Sequence, residues 1–167
     1  MDLVIYTIGH SNIEPKVFIK HLKQYNIDLL VDVRSKPYSQ YTTSFNKDDI
    51  ERSCKADKIK YIFMGDSLGG KPNDNTIIRD GNKVIYDLLS EKPYFQLGIN
   101  KLIEQANNHI VCVMCAEGQP DKCHRNLLIT PALLQKGVQV QHILPDGTII
   151  NPEQLKQKIN KGQTALF

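Results

Sequence analysis

The segment from Ile110 to Leu144 reads IVCVMCAEGQPDKCHRNLLITPALLQKGVQVQHIL and contains a complete strand–helix–strand unit. Its first five residues form an apolar run, which is typical of a strand covered on both faces of a sheet. A helix from about Lys122 to Gln135 follows, and Gly137 ends it before a last strand from Val138 to Leu144. Strands joined through a helix pair in parallel, so this segment predicts an α/β fold.

The rest of the chain repeats this alternation of strands and helices. We predict further strands at Leu3–Ile8, Leu29–Val33 and Lys60–Met64, and helices over Pro15–Tyr25, Asn46–Ala56, Val84–Leu89, Tyr94–Ala106 and after Asn151-Pro152. The loop GDSLGGKPNDN, residues 65–75, is expected to lack regular structure because of its glycines and proline. We therefore expect a mostly parallel sheet of about five strands with helices on both faces, a Rossmann-like three-layer sandwich. Residues 1–150 should form a single α/β domain, and residues 151–167 a C-terminal helix and tail.

Composition narrows the class of protein. The 167 residues are 41% hydrophobic and 23% charged, which is ordinary for a globular protein. No apolar run reaches the length of a membrane span, and the N-terminus lacks the basic region of a signal peptide. We expect a cytoplasmic protein without a membrane partner, in which the four cysteines are thiols. A net charge of +3 permits an anionic partner but is low for a dedicated nucleic-acid-binding domain.

Polar residues follow four of the predicted strands. Ligands of such sheets bind in the crevice beyond the carboxyl ends of the strands, so these residues should converge on one site. We predict that His10, Ser11, Arg34, Gly69, Gly70 and Arg125 bind substrate there and that Asp32, Cys115, Glu117 and His124 are catalytic.

The stretch CAEGQPDKCHR, from Cys115 to Arg125, holds two cysteines, a histidine, an arginine and a glutamate. A zinc knuckle needs two thiolates on one turn, but Cys112 and Cys115 are three apart on a strand and point to opposite faces. We therefore expect no metal and interpret Cys112 as a buried apolar residue. Cys115 has two open interpretations: a thiolate that a helix N-terminus and Arg125 activate, or a small residue that fits the strand end.

The charged residues also have alternative interpretations. Asp32 and Glu117 suit general acid–base chemistry, whereas Asp32 and Arg34 could form a structural ion pair. With Asp121 as N-cap, Arg125 would lie in the first helical turn and could bind an anion, or it could pair with Glu117 or Asp32. His10 could lie close to a ligand or could hold the next turn. His124 could titrate in catalysis or could hydrogen-bond a neighbouring loop.

The loop after the third strand spells GxxxxGK from Gly65 to Lys71. A phosphate-binding P-loop continues with Ser or Thr, whereas this chain continues with Pro72, which lacks the hydroxyl and the backbone N–H. We therefore reject a nucleoside triphosphatase. The two glycines either bring backbone close to a ligand or turn the chain.

Several motifs occur here in a recognisable order. They are Gly9-His10-Ser11, the segment Leu30–Arg34, Phe45, Tyr61, Leu68-Gly69-Gly70 and CAE…CHR. With them the chain resembles the domain-of-unknown-function family 488 over residues 3–144. The resemblance implies an α/β fold and a shared site at these residues, and it implies no particular reaction.

A looser resemblance is to rhodanese-type domains, in which a strand ending in Asp-Val-Arg precedes a strand–cysteine–loop–helix unit that holds an anion. This chain departs from that pattern. Arg125 follows Cys115 by ten positions, and Glu117 would enter the anion site.

The chain ends in GQTALF, where Gln163, Leu166 and Phe167 are similar to the peptide by which bacterial replication and repair proteins dock on the sliding clamp. The two apolar residues would fill a pocket and the glutamine would form hydrogen bonds. The alternative is that the terminal pair packs on the core.

Three functions follow from these observations. The first is a DNA-associated enzyme with hydrolase- or lyase-type chemistry on nucleic acid or a nucleotide, recruited by the clamp and independent of a cofactor. In it Asp32 or Glu117 is the acid or base, and Arg34, His124 and Arg125 bind phosphate. The second is a thiol enzyme that uses Cys115 on a small anionic substrate. The third is a non-catalytic adaptor that binds DNA or the clamp.

Overall fold

A computed structural model describes residues 2–81 and 83–165, with side chains as far as residue 162. The strands are β1 (Val4–Gly9), β2 (Leu29–Asp32), β3 (Lys60–Phe63), β4 (Ile78–Arg79), β5 (Lys83–Val84), β6 (Val111–Cys115), β7 (Gln139–Ile143) and β8 (Ile149–Ile150). The helices are α1 (Pro15–Gln24), α2 (Lys47–Ala56), α3 (Gly65–Leu68), α4 (Tyr86–Leu89), α5 (Pro93–Ala106), α6 (Thr130–Gln135) and α7 (Pro152–Ala165). Among these helices none is both long and apolar enough to cross a membrane.

The main sheet has six strands in the order β3-β2-β6-β1-β7-β8. Five of them run parallel, and β8 pairs antiparallel with β7 at the edge. This confirms the predicted α/β class, with one more strand than expected, because β8 is only two residues long and follows a tight turn. Gly9 lies opposite Cys115, and Asp32 lies opposite Met114. The carboxyl ends of β1, β2 and β6 therefore meet at one edge of the sheet.

Helices cover both faces of this sheet, as predicted. One core contains Val113 of β6 with Phe95 and Leu102 of α5 and Leu133 of α6. The other core contains residues of α1 and α2 together with Cys112. Because side chains alternate along a strand, Cys112 and Val113 enter opposite cores. The thiol of Cys112 thus belongs to the apolar interior, as the sequence indicates.

Two predictions about loops were wrong. The loop at residues 65–75 contains the helical turn α3 and a 3-10 turn, Asn75–Ile77, so its glycines and proline do not exclude regular structure. Val84 belongs to the hairpin of β4 and β5 rather than to a helix, which begins at Tyr86. Strands of two residues carry too little periodicity to be detected in a sequence.

The helix after β6 also begins later than predicted. Asp121 lies in a turn and is not an N-cap, and a π-helical turn spans Arg125–Ile129 before α6. The Thr130 hydroxyl donates to the Arg125 carbonyl at 2.6 Å, and Pro131 follows at the start of α6. Proline cannot donate a backbone hydrogen bond, and a π turn is one way for a helix to accommodate that loss. Such turns are frequent at functional sites.

Candidate functional site

Arg34 is held at the end of β2 by a chain of hydrogen bonds. The guanidinium donates to both oxygens of the fully buried Asp32, from Nε at 2.9 Å and from Nη2 at 2.8 Å. The Tyr61 hydroxyl donates to the same carboxylate, and its pKa is raised by burial and by that bond. The structure thus places Asp32 and Arg34 in an ion pair.

His10 completes this chain on the other side of Arg34. Its Nδ1 lies 2.7 Å from the Ser11 carbonyl and its Nε2 lies 3.2 Å from Nη1 of Arg34. The carbonyl can only accept, so Nδ1 carries the proton and Nε2 accepts from the arginine. Burial lowers the pKa of His10, and its ring stacks on Phe45 at 4.6 Å. His10 is therefore a neutral histidine that orients Arg34.

Arg125 lies beneath the loop that joins β6 to the following helix. It is fully buried, and its Nη2 donates to the carbonyl of Glu117 at 3.2 Å and to that of Gly118 at 2.9 Å. Nη1 donates to the Thr7 hydroxyl at 2.7 Å, and this hydroxyl lies 2.6 Å from Nδ1 of His142. Nε of Arg125 has no hydrogen-bond partner among the described residues. The guanidinium thus fixes the loop backbone, and its bonds to Glu117 go to the carbonyl rather than to the carboxylate.

Cys115 and Cys123 meet at the two ends of this loop. Their sulfurs are 2.8 Å apart, and the two side chains are 0% and 2% exposed. Glu117 Oε2 lies 3.4 Å from the Cys123 sulfur, and His124 Nδ1 lies 3.9 Å from it. The two thiols therefore share one small space with an acid and a histidine.

The environments of the two thiols differ in their effect on ionisation. Burial raises the pKa of Cys115 well above its usual value. The pKa of Cys123 is lowered to about 5, chiefly by the hydrogen bond with Cys115, against the effect of burial and with help from His124. Of the two thiols, Cys123 is therefore the one whose environment favours ionisation.

His124 and Glu117 both lie beside the Cys123 sulfur. The Val33 carbonyl accepts from His124 Nε2 at 3.1 Å, which leaves Nδ1 on the side of the thiol. Burial acts to raise the pKa of Glu117, but the hydrogen bond from its own backbone N–H and the neighbouring His124 both act to lower it, and the net shift is downward. Glu117 is thus an ionised carboxylate beside the thiol pair.

A pocket of about 450 Å³ opens above the two sulfurs. This cationic pocket has four positively charged residues in its lining and one carboxylate, that of Glu117. Its lining consists of Arg34, Ser35, Lys36, Gly70, Lys71, Tyr86, Cys115, Ala116, Glu117, Lys122, Cys123 and His124. Its volume lies in the range of small-molecule sites, and its charge suits an anion.

Glycines allow the segments around the pocket to approach one another. A Cβ at Gly9 would lie 1.5 Å from the Glu117 carbonyl oxygen, so only glycine lets β1 pass the loop. A Cβ at Gly70 would lie 2.9 Å from the His124 ring. The second glycine of the Gly69-Gly70 pair therefore makes room for a catalytic candidate.

The structure brings five of the predicted site residues to the cationic pocket: Arg34, Gly70, Cys115, Glu117 and His124. Asp32, His10 and Arg125 lie buried behind it, and Gly69 packs against Ser35. Ser11 adopts a positive φ of 47°, and its backbone N–H donates to the Ala116 carbonyl at 2.8 Å. The terminal residues Leu166 and Phe167 and the side chain of Gln163 lie outside the described residues, so the clamp motif stays a prediction.

Cys123 was not among the predicted site residues. A signal was present, because the end of a strand and the start of the next helix adjoin in a βαβ unit. The lysines of the pocket, Lys36, Lys71 and Lys122, carried no such signal, since lysines are common on any surface.

The sulfurs of Cys115 and Cys123 and a carboxylate oxygen of Glu117 all lie within 4.8 Å of one another. A divalent cation could be held at such a spacing. The set differs from the zinc pattern considered from the sequence, because Cys112 is not part of it.

The model of the family described as "Domain of unknown function DUF488" matches residues 14–130 of the chain. The chain belongs to this family. The match confirms the resemblance found in the sequence, and it contains Asp32, Arg34 and the whole CAE…CHR loop. No curated protein and no solved structure matches the chain.

Proposed function

We propose that the protein is a thiol-dependent enzyme for a small anionic substrate, with Cys123 as its nucleophile. The observation that carries this proposal is the contact of Cys115 and Cys123 at the base of the cationic pocket. The thiolate is the reactive form of cysteine, and the lowered pKa of Cys123 supplies it at neutral pH. Of the two thiols, Cys123 suits this role better than Cys115, on which sequence analysis had focused.

Arg34 supports the anionic nature of the substrate. Three of its five N–H groups bond to Asp32 and His10, which leaves one on each terminal nitrogen among the bonds described. Two parallel N–H groups match a carboxylate, a phosphate or a sulfur oxyanion. Because the arginine is held by buried partners, it pays little conformational entropy on binding.

Glu117 and His124 supply proton transfer in this proposal. His124 Nδ1 lies 3.9 Å from the Cys123 sulfur and can exchange a proton with it. The carboxylate of Glu117 lies on the same side of the thiol and can accept a proton from, or return one to, the reacting group. The proposal also expects a cytoplasmic location, since thiols stay reduced there.

Alkylation with one anionic and one neutral reagent tests the proposal. Iodoacetate carries a carboxylate and iodoacetamide is its neutral analogue, so a cationic pocket should raise the ratio of their rates at Cys123. We expect this ratio to exceed that of free cysteine by about tenfold, because two or more cations act on one anion at short range. Peptide mass spectrometry locates the modified thiol.

Cys54 is the internal control, because it belongs to α2 and its side chain is buried in the apolar core. A Cys123→Ser variant should lose the rapid reaction with iodoacetate, and a Cys54→Ala variant should keep it. Preferential modification of Cys54, or no preference for iodoacetate, would contradict the proposal.

A DNA-associated enzyme is the second candidate, in which the anion is a phosphodiester. The exposed lysines at the pocket rim, Lys36, Lys71 and Lys122, favour it. Fluorescence anisotropy with single-stranded DNA tests this candidate. Salt-sensitive binding that a triple glutamine variant of these lysines abolishes would support it, and binding unchanged by that variant would exclude this site.

Recruitment by the sliding clamp belongs to the same candidate. A clamp pull-down should retain the full chain and lose a chain that ends at Gly162. Equal retention of the two would remove the tail from the proposal and would leave the pocket unaffected.

A further inference from the structure

We infer that Cys115 is the second thiol of a dithiol–disulfide couple and that the cationic pocket reduces anionic disulfides of low molecular weight. The inference rests on the proposed function, because Cys123 is the attacking thiol in both. Its own support is the juxtaposition of two sulfurs at 2.8 Å at the base of a pocket whose lining contains four positively charged residues. A nucleophile alone would not require a second thiol in contact with it.

The backbone holds the two sulfurs together from both ends of the loop. The Cys115 carbonyl accepts from the His10 N–H at 3.0 Å, which anchors the end of β6 on β1. The Cys123 N–H donates to the Pro120 carbonyl at 3.1 Å at the start of the helical segment. Between them Arg125 binds two loop carbonyls. The loop thus cannot separate the thiols without breaking several buried bonds.

The first chemical step uses the thiolate of Cys123. It attacks one sulfur of a disulfide R–S–S–R, a bond forms between Cys123 and that sulfur, and the S–S bond breaks. One R–S⁻ leaves and takes up a proton from water, and the other R–S group stays on Cys123 as a mixed disulfide. The cations of the pocket attract the charged R groups and lower the pKa of the leaving thiol, which accelerates its departure.

The second step uses Cys115. Its proton passes to Glu117 and then to the departing group, and its thiolate attacks the sulfur of Cys123. A bond forms between Cys115 and Cys123, and the second R leaves as R–SH. In sum two protein thiols are oxidised to one disulfide, and one R–S–S–R is reduced to two R–SH. An external dithiol reverses the protein's oxidation by the same exchange.

Arg125 supplies what the second step needs. The guanidinium of Arg125 is fully buried, its Nε has no partner among the described residues, and its other bonds go to carbonyl and hydroxyl oxygens. Its positive charge therefore has no anionic partner among the described residues. Its charge acts to lower the pKa of Cys115 against the effect of burial. The transient thiolate of Cys115 is thus the anion that this arginine can stabilise.

Counting released thiols tests the inference on the full chain. We expect the reduced protein to release two thiols from one oxidised glutathione, an anionic disulfide, and to form a disulfide between Cys115 and Cys123 that peptide mapping locates. A Cys115→Ser variant should release one thiol and keep a mixed disulfide at Cys123. That adduct should last at least roughly a hundredfold longer than in the unchanged chain, because a thiol in contact acts at a very high effective concentration.

Cys112→Ser is the matched control, since Cys112 is a buried cysteine of the same strand on the opposite face. It should release two thiols like the unchanged chain. The neutral 2-hydroxyethyl disulfide should react more slowly than oxidised glutathione, both with the Cys112→Ser variant and with the unchanged chain.

The possible failures are distinguishable. If Cys123 forms a stable mixed disulfide in the unchanged chain, or if Cys115→Ser releases two thiols, the inference is overturned and the thiol function stands. If Cys123 reacts neither with the disulfide nor with iodoacetate, both fail. One equivalent of zinc in the purified protein, protecting both thiols from alkylation, would also overturn both and would assign Cys115, Glu117 and Cys123 to a metal.

Discussion

The four cysteines form two groups that differ in chemistry although all four are buried. Cys54 and Cys112 lie in the apolar core between the sheet and α2, whereas Cys115 and Cys123 lie at the carboxyl edge of β6. Burial raises the pKa of Cys54 to about 12, and the pKa of Cys123 is lowered to about 5. Burial alone therefore does not decide the state of a thiol. At Cys123 the contact with Cys115 and the neighbouring His124 outweigh burial, whereas burial prevails at Cys115 on the same edge and at Cys54 in the core.

The largest expected effect is a loss of stability when the buried charge of Arg125 is removed from this edge of the sheet. Arg125→Met deletes the charged donors to the carbonyls of Glu117 and Gly118 and to Thr7. We expect the free energy of unfolding to fall by about 3 kcal/mol, because buried acceptors are left unpaired. Urea denaturation measures this change.

Arg52→Met is the matched control on the other side of the molecule. The Arg52 side chain is 75% exposed and pairs with Asp49 on the surface of α2. Its removal should change stability by less than about 0.5 kcal/mol. A similar fall in the free energy of unfolding in the two variants would show that the buried charge of Arg125 does not stabilise this edge of the sheet.

The second effect concerns reactivity toward neutral iodoacetamide. At pH 7 the thiolate fraction of Cys123 exceeds that of Cys54 by about 10⁵, given pKa values of about 5 and about 12. A thiolate of low pKa is also the weaker nucleophile, which offsets about 10³ of this difference. We therefore expect Cys123 to react about a hundredfold faster, as measured by peptide mass spectrometry.

The pH dependence of the two alkylation rates distinguishes control by thiol ionisation from control by access of the reagent. A thiol reacts only when it is ionised, so the rate at Cys123 should fall as the pH falls through about 5 and stay level above it. The rate at Cys54 should instead rise with pH toward about 12. Parallel profiles for the two thiols would mean that exposure, and not ionisation, controls both.

The same contrast explains what the sequence could predict. Apolar strands such as Val111–Cys115 and the placement of Cys112 in the core follow from periodicity, which is a local property. Convergence of polar residues at one edge follows from the rule for parallel sheets. The family match over residues 14–130 contains the motifs from which it was inferred, except Gly9-His10-Ser11.

The roles of these residues did not follow from the sequence. Whether Arg125 faces the crevice or the loop depends on the path of residues 116–122, which no short-range pattern determines. The contact of Cys123 with Cys115 depends on where the helix begins, and that boundary was predicted too early. Side chains whose partners lie across a loop need the three-dimensional path of that loop.

A smaller effect is expected at the hydrogen-bond chain behind the pocket. Tyr61→Phe removes one donor to Asp32, which keeps its two bonds from the Arg34 guanidinium and one from the Arg34 backbone N–H. The free energy of unfolding should fall by about 1 kcal/mol, the usual contribution of one such bond. Tyr41→Phe is the control, because Tyr41 is 90% exposed and its hydroxyl can bond to water. Equal stability of the two variants would mean that the Tyr61 bond adds nothing to the ion pair.

The smallest effect concerns a single lysine at the rim. Lys122→Gln should reduce the preference of Cys123 for iodoacetate over iodoacetamide by about twofold, since an exposed charge is screened by water and salt. Lys101→Gln changes the net charge equally but lies on α5 outside the pocket lining. If the two variants reduce the preference alike, the reagent responds to the charge of the whole molecule. If only Lys122→Gln reduces the preference, and the difference from Lys101→Gln vanishes at high salt, the reagent responds to the charge of the pocket. The edge of the sheet then differs from its core in the electrostatic field that it presents to a substrate.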